Sequence, residues 1–147
     1  MALLTLNGTA SNGGFGCSVS MTDSNAIVGA QNVENNDGAA YIYGKDSDGI
    51  WSSTALLTLN GTGSKGYFGG SVSMTDSYAI VGAPTADNNG VAYIYGKGSD
   101  GSWSGTALLT LSGEASDGNF GYSVSMTDSY ALVGAIGADN NLSLIHI

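Results

Sequence analysis

Along residues 71–111, apolar and polar positions alternate in short runs that never lengthen into a helical period. In SVSMT (71–75), Val72 and Met74 alternate with Ser71, Ser73 and Thr75, the period of two that marks a strand. YAIVGA (78–83) follows after a tight turn at Asp76-Ser77. VAYIYG (91–96) alternates Ala92 and Ile94 with Tyr93 and Tyr95, and SWSGTALLTL (102–111) is the longest run of all. KGSDG (97–101), matching KDSDG (45–49), sets Asp-Gly between two such runs. That placement predicts a hairpin with a type I′ turn, because glycine accepts the positive φ such turns require.

The whole pattern recurs. ALLTLNGTASNGGFGCSVSMTDSNAIVGA (2–30) returns at 55–83 and again at 107–135, a period of 53 and then 52 residues. The extra residue of the first copy falls in QNVENND, between Gly29 and Gly38. Each copy therefore predicts four short strands and no amphipathic helix. Several runs (AIV, ALLTL, YIY) are apolar on both faces. A sheet with one wet face does not read this way, whereas a small sheet sandwiched between two similar sheets does. Four short antiparallel strands per unit, both faces covered, at a period near fifty, predict an all-β chain: a partial β-propeller with four-stranded antiparallel blades of about 52 residues. The expected units are an outer strand of a preceding blade plus an inter-blade loop (1–14), one blade (15–59), an inter-blade loop plus a second blade (60–111), and an incomplete third blade (112–141).

Composition narrows the partners. Charged residues are 10% of the 147, against roughly 25% in a typical domain. With three lysines, no arginine and a net charge of −9, the chain lacks the clustered cations a phosphate-binding groove needs, so no nucleic acid partner is expected. No apolar run approaches the ~20 residues of a helical membrane span, so no membrane insertion is expected. A lone cysteine, Cys17, excludes a disulfide within the chain and reads as a tolerated strand residue.

The segments FGCSVSMTDSNAIVGAQ, FGGSVSMTDSYAIVGAP and FGYSVSMTDSYALVGAI resemble FG-GAP repeats. The motif residues are Phe15-Gly16 with Gly29, Phe68-Gly69 with Gly82 and Pro84, and Phe120-Gly121 with Gly134. The resemblance covers residues 2–141 and recurs three times in register. It implies blades of the kind found in integrin α-subunits and in many extracellular microbial and algal proteins. An extracellular or cell-surface location and a non-catalytic binding or scaffold role, with a protein or glycan ligand, are therefore the expectation. Further blades of the same chain are expected as well. A propeller appended to a secreted hydrolase, or a purely structural surface array, are the alternatives. Integrin-type copies often carry a calcium loop between the first two strands. Here that stretch offers one carboxylate per copy (Asp23, Asp76 or Asp128), and calcium takes six to eight oxygens, so no cofactor and no metal are expected.

Phe15, Phe68 and Phe120 are expected to plug the space between blades, with the motif glycines permitting close approach. Trp51 and Trp103, at equivalent positions, are expected to pack against a neighbouring blade rather than stack on a sugar. The MTDS and SDG turns scarcely vary between copies, whereas the second-to-third loops and the inter-blade loops do. Because repeat proteins vary the loops of a binding face, Asn32, Glu34, Asn35, Asn36, Asp37, Asp87, Asn88, Asn89, Asp139 and Asn140 are the candidate partner-binding residues. No catalytic residue is expected. Asn7-Gly8-Thr9 and Asn60-Gly61-Thr62 fit the glycan acceptor pattern, which is compatible with secretion.

After Asn141 the pattern stops: LSLIHI stands where GVAYIYGK is due. The same hexapeptide is encoded by a transposase end sequence used in DNA library preparation. Residues 142–147 are expected to be a non-native, adapter-encoded tail that fits no repeat position, with His146 foreign to the protein. A partial array with uncovered ends is expected to aggregate or to assemble into pseudo-closed oligomers.

Overall fold

The structure is a computed structural model that describes residues 4–62, 65–114, 116–137 and, for the backbone alone, 142–146. The strands β1 (Phe15–Met21), β2 (Asn25–Ala30), β3 (Ala39–Gly44) and β4 (Leu57–Asn60) form one antiparallel sheet in that order. A second sheet repeats the arrangement with β5 (Ser71–Met74), β6 (Tyr78–Ala83), β7 (Val91–Gly96) and β8 (Leu109–Ser112). In the third, β9 (Phe120–Met126), β10 (Tyr130–Ala135) and β11 (Leu142–His146) pair in sequence order. The chain is thus a partial β-propeller of meander blades, as the repeat period predicts.

The cores lie between the sheets. Ile27, Ala40 and Ile42 of the first blade meet Phe68, Val72, Met74, Ala79 and Val81 of the second in one buried cluster. On the opposite face of the second blade, Ile80, Ala92 and Ile94 meet Phe120, Ala131 and Val133 of the third. Consecutive residues of β6 therefore serve different cores, which is why AIV and YIY carry no polar face. Burying a Val or Ile side chain contributes about 1.5–3 kcal/mol, so the two inter-blade cores dominate the stability of so thin a sheet.

Phe-Gly and Gly-Ala are two halves of one joint. The motif interrupts its own ladder: the register of β1 shifts between Phe15 and Ser18, and that of β9 shifts opposite Gly134 and Ala135. Gly69 takes φ 85°, and its amide stays in its own blade, donating to Gly82 O at 3.0 Å. Its carbonyl turns toward the preceding blade and accepts a hydrogen bond from Ser18 Oγ at 2.7 Å. There it occupies space that only a glycine leaves, because a Cβ on Gly29 would stand 1.9 Å from Gly69 O. The next joint repeats the arrangement, with Ser71 Oγ donating to Gly121 O at 2.7 Å and a Cβ on Gly82 falling 2.0 Å from that oxygen. A second bond runs beside each: Met74 N–H donates to Ser20 Oγ at 3.1 Å, and Met126 N–H to Ser73 Oγ at 3.2 Å. The serines of SVSM thus bond across the joint.

Three local expectations change. The Asp-Gly hairpins are not type I′: only Gly49 (φ 76°) and Gly101 (φ 82°) take positive φ there. Gly49 N–H bonds to Asp46 O, and Asp46 N–H bonds to Ile50 O, leaving a three-residue loop that ends on a left-handed bulge glycine. Asp46 Oδ1 accepts from the amides of Asp48 and Ile50, which favours this form. The long run 102–111 is not one strand. Trp103 bridges to Lys97, and regular pairing resumes only at Leu109. Ser104 closes a local turn instead, donating from Oγ to Thr106 O and accepting from Thr106 N–H. Finally, LSLIH was expected to fit no repeat position, yet its backbone takes the third-strand place against β10, with Leu142 opposite Gly134 and His146 opposite Tyr130. Ladder hydrogen bonds do not read side chains, so an alternating run can fill that edge whatever its origin.

Candidate functional site

The loops of the blades emerge on two faces of different character. On one face, each MTDS turn closes on itself: Thr22 N–H donates to Asn25 O, and Thr22 Oγ1 accepts from the amides of Ser24 and Asn25. Thr75 does the same for Ser77 and Tyr78. Such a three-residue turn with one carboxylate does not fit a calcium loop, and no group of three or more His, Cys, Asp or Glu gathers among the described residues.

The Lys97 ammonium lies 5.6 Å from the Trp103 ring on the same side of the blade. Trp103 is buried, and its indole N–H donates to Asn25 Oδ1 of the first blade at 3.2 Å. It packs between blades, as its recurrence suggested. Trp51 is only half-buried, with Lys45 Nζ 5.2 Å from its ring.

The other face carries the second-to-third loops and the inter-blade loops. All ten non-glycine residues with positive φ among the described residues lie in these loops: Asn12, Glu34, Asn35, Asn36, Lys65, Tyr67, Asp87, Asn88, Asp117 and Asn119. The left-handed region costs an ordinary side chain roughly 1–2 kcal/mol, and Asn and Asp bear it best, which accounts for the composition of the loops. Backbone hydrogen bonds hold the strain: Asn32 N–H donates to Gly13 O within the first repeat, while Tyr67 N–H donates to Asn36 O and Asp117 N–H to Asn88 O from one repeat to the next.

Among the candidate residues, the structure separates two roles. Asp37 Oδ1 accepts from Lys65 N–H at 3.0 Å, and Asn89, at the equivalent position, donates from Nδ2 to Gly113 O at 3.2 Å. These two side chains hold the loops. Asn32, Glu34 and Asn35 are exposed and Asn36 half-buried, and all four border an open polar cleft of about 620 Å³. Asn12 and Tyr67, from the flanking inter-blade loops, complete it. No side-chain hydrogen bond occupies the amides of Asn12, Asn32, Asn35 or Asn36 among the described residues. Asp87 and Asn88 are exposed on the same face, while Asp139 and Asn140 lie outside the described residues. Reasoning from sequence placed the inter-blade loops on this variable face beside the second-to-third loops but named none of their residues, so Asn12 and Tyr67 were passed over. Their signal was present in the variable third and fifth residues of ASNGG, GSKGY and ASDGN.

Burial, followed by the neighbouring Tyr93, pushes the Tyr95 phenol up to about 12, and burial with Tyr41 raises that of Tyr43. The Ser102 hydroxyl, followed by its amide, lowers the Asp100 carboxyl, which is fully exposed in its turn. None of these groups borders the cleft.

Comparison with known proteins agrees with this architecture. No curated protein matches the chain. Among solved structures, the computationally designed Ika4 protein aligns over 100% of this chain and 98% of its own, at 13% identity and a TM-score of 0.45, too loose a likeness to carry an argument. No helix among the described residues is long and apolar enough to cross a membrane. The FG-GAP repeat model matches residues 1–43, 51–95 and 103–143, the three copies in register. The chain belongs to the FG-GAP repeat family and is a β-propeller-like repeat module.

Proposed function

We propose that this chain is a non-catalytic binding module of an extracellular or cell-surface protein. Its Asn-rich loop face takes a neutral, hydroxyl-rich ligand, a glycan, in the cleft between the first two blades. One observation carries the reading: backbone strain is concentrated on this face and stitched in place around amides that have no other use. Strained residues held by their surroundings gather at ligand clamps. A rigid loop loses little freedom on binding. The amides of Asn12, Asn32, Asn35 and Asn36 can each donate and accept, which matches sugar hydroxyls, and the Tyr67 ring supplies an apolar wall. A net charge of −9 disfavours polyanionic ligands. The site needs no metal. Family membership supports a repeat module rather than an enzyme, and an extracellular setting.

A microarray of neutral oligosaccharides, probed with the 147-residue chain, tests the reading. Binding is expected, and exchanging the loops at 31–38 and 84–90 for Gly-Ser is expected to abolish it. Asn35→Ala with Asn36→Ala should weaken it about tenfold, the equivalent of two ordinary hydrogen bonds. Binding that survives the loop exchange would place the ligand elsewhere.

A further inference from the structure

Matching backbone bonds align the second-to-third loops of the first two repeats. The amides of the closing glycines, Gly38 and Gly90, donate to Val33 O at 3.0 Å and to Ala86 O at 2.9 Å. Asn36 O and Asn88 O each accept an amide from the following repeat, and Asp37 O and Asn89 O accept those of Phe68 and Phe120. Between Val33 and Asn36 stand Glu34 and Asn35, whereas between Ala86 and Asn88 stands Asp87 alone. The extra residue of the first repeat is therefore one of that pair. It adds a third left-handed residue to the turn: Glu34, Asn35 and Asn36 take φ 51°, 60° and 77°, against 53° and 64° at Asp87 and Asn88.

The longer loop stands open where the shorter one is tied down. Thr85, in the place of Asn32, donates from Oγ1 to Lys65 O at 2.7 Å, and Lys65 holds the place of Asn12. That bond fastens the loop of the second repeat to its inter-blade loop, and Ala86 beside it is buried. In the first repeat no such bond forms: Asn32 is exposed, Val33 is only half-buried, and both border the cleft with Asn12. Glu34 is exposed there as well, the one carboxylate among the residues that line the cleft. No hydrogen bond or ion pair occupies that carboxylate among the described residues.

Resting on the glycan reading of the cleft, we propose that Glu34 is its specificity-determining residue, and that its carboxylate accepts two adjacent hydroxyls of one sugar ring. An ionised carboxylate only accepts, through two oxygens side by side, which suits a pair of neighbouring O–H donors. Such charge-assisted bonds are roughly twice as strong as neutral ones. The amides of Asn32, Asn35 and Asn36 both donate and accept, so they tolerate many hydroxyl arrangements, whereas Glu34 demands donors. It therefore selects a vicinal diol. A sugar methylated on those hydroxyls has no proton to give, and a sugar acid brings like charge against the carboxylate. Asp87, the nearest counterpart, sits on the tied-down loop and takes no part in selection.

An array carrying neutral hexose oligosaccharides, the same oligosaccharides O-methylated on their ring hydroxyls, and hexuronic acid oligosaccharides tests this with the full chain. Wild type is expected to bind the neutral set and neither of the others. Glu34→Gln, which keeps the shape and removes the charge, is expected to weaken neutral binding about tenfold. It is also expected to lower the preference for neutral over acidic sugars. Asp87→Asn makes the same change in net charge on the tied-down loop and is expected to alter neither, so it separates a local contact from the charge of the whole chain. Glu34 is exposed and its side chain holds nothing in place, so both variants are expected to fold as wild type does. Wild-type binding that the Gly-Ser loop exchange abolishes but Glu34→Gln leaves unchanged would overturn this proposal and spare the glycan reading. So would equal binding of the methylated set. A wild type that binds no sugar would overturn both.

Discussion

Gly82 and Gly49 are both conserved in kind across the copies of the chain, yet they answer different needs. A Cβ on Gly82 would fall 2.0 Å from the Gly121 carbonyl of the next blade, an oxygen already bonded to Ser71. A backbone oxygen in a packed joint cannot step aside, so Gly82→Ala is expected to cost about 3 kcal/mol or more, as an overpacking substitution. The midpoint of urea unfolding reads this directly. Gly49 has nothing within 4 Å of its would-be Cβ and a φ of 76°. Gly49→Ala is therefore expected to cost only the left-handed strain, about 1 kcal/mol.

Tyr95 adds a pH dependence at the same scale. Its folded value, about 12, lies above the ordinary 10.0. The unfolded chain therefore releases this proton first, and stability, complete below pH 10, declines as pH rises from about 10 towards 12. Tyr95→Phe is expected to flatten that decline, seen as a smaller loss of melting temperature across the interval. A decline as steep as wild type would assign it to other groups.

At the scale of elements, the blade was legible wherever local rules govern. The inner three strands of the second copy fall where the period of two put them, and β6 and β7 match YAIVGA and VAYIYG residue for residue. The outer strand was over-extended because propensity alone favours SWSGTALLTL, whereas Ser104 bonds Thr106 and breaks the run. The Asp-Gly turns were assigned the wrong type because Asp46 and Asp100 bond to loop amides, a contact that composition does not announce. The F-G bulge explains a variation that otherwise reads as noise. The residue after Phe-Gly is Cys17, Gly70 or Tyr122, and the first and last of these are exposed beside the register shift, where neither core constrains them. The loop exchange at 31–38 and 84–90 is the matching test for the variable face. Loss of ligand with unchanged circular dichroism would show that those elements bind without building the blade.

At the scale of the whole molecule, the described residues form two joints between consecutive blades, each closed by a serine hydroxyl donating to a glycine carbonyl. Among the described residues, Val19, Met21, Ile50, Leu56, Leu108 and Ile136 are 58–68% exposed, whereas Val72 and Met74, the equivalents of Val19 and Met21 in the second blade, are buried against the first. The candidate cleft belongs to this scale too. Asn12, Asn35 and Tyr67 come from three different loops, and Tyr67 joins the other two because its N–H donates to Asn36 O across the blade boundary.

The amino-acid sequence by itself determined the strands, the repeat, the four-strand meander and the covering of both sheet faces, because hydrophobic period and turn chemistry act over a few residues. It also marked Phe68, Gly69 and Gly82 as scaffold. What only the tertiary structure decided is how these marks fit. The carbonyl of Gly69 fills the space left by Gly29, and the serines of a seemingly wet strand face bond across the joint. Asp37 and Asn89 hold loops, while Asn35 and Asn36 line a cleft. Each of these is a contact between residues brought together by packing one blade on the next, and no local rule carries information across that distance.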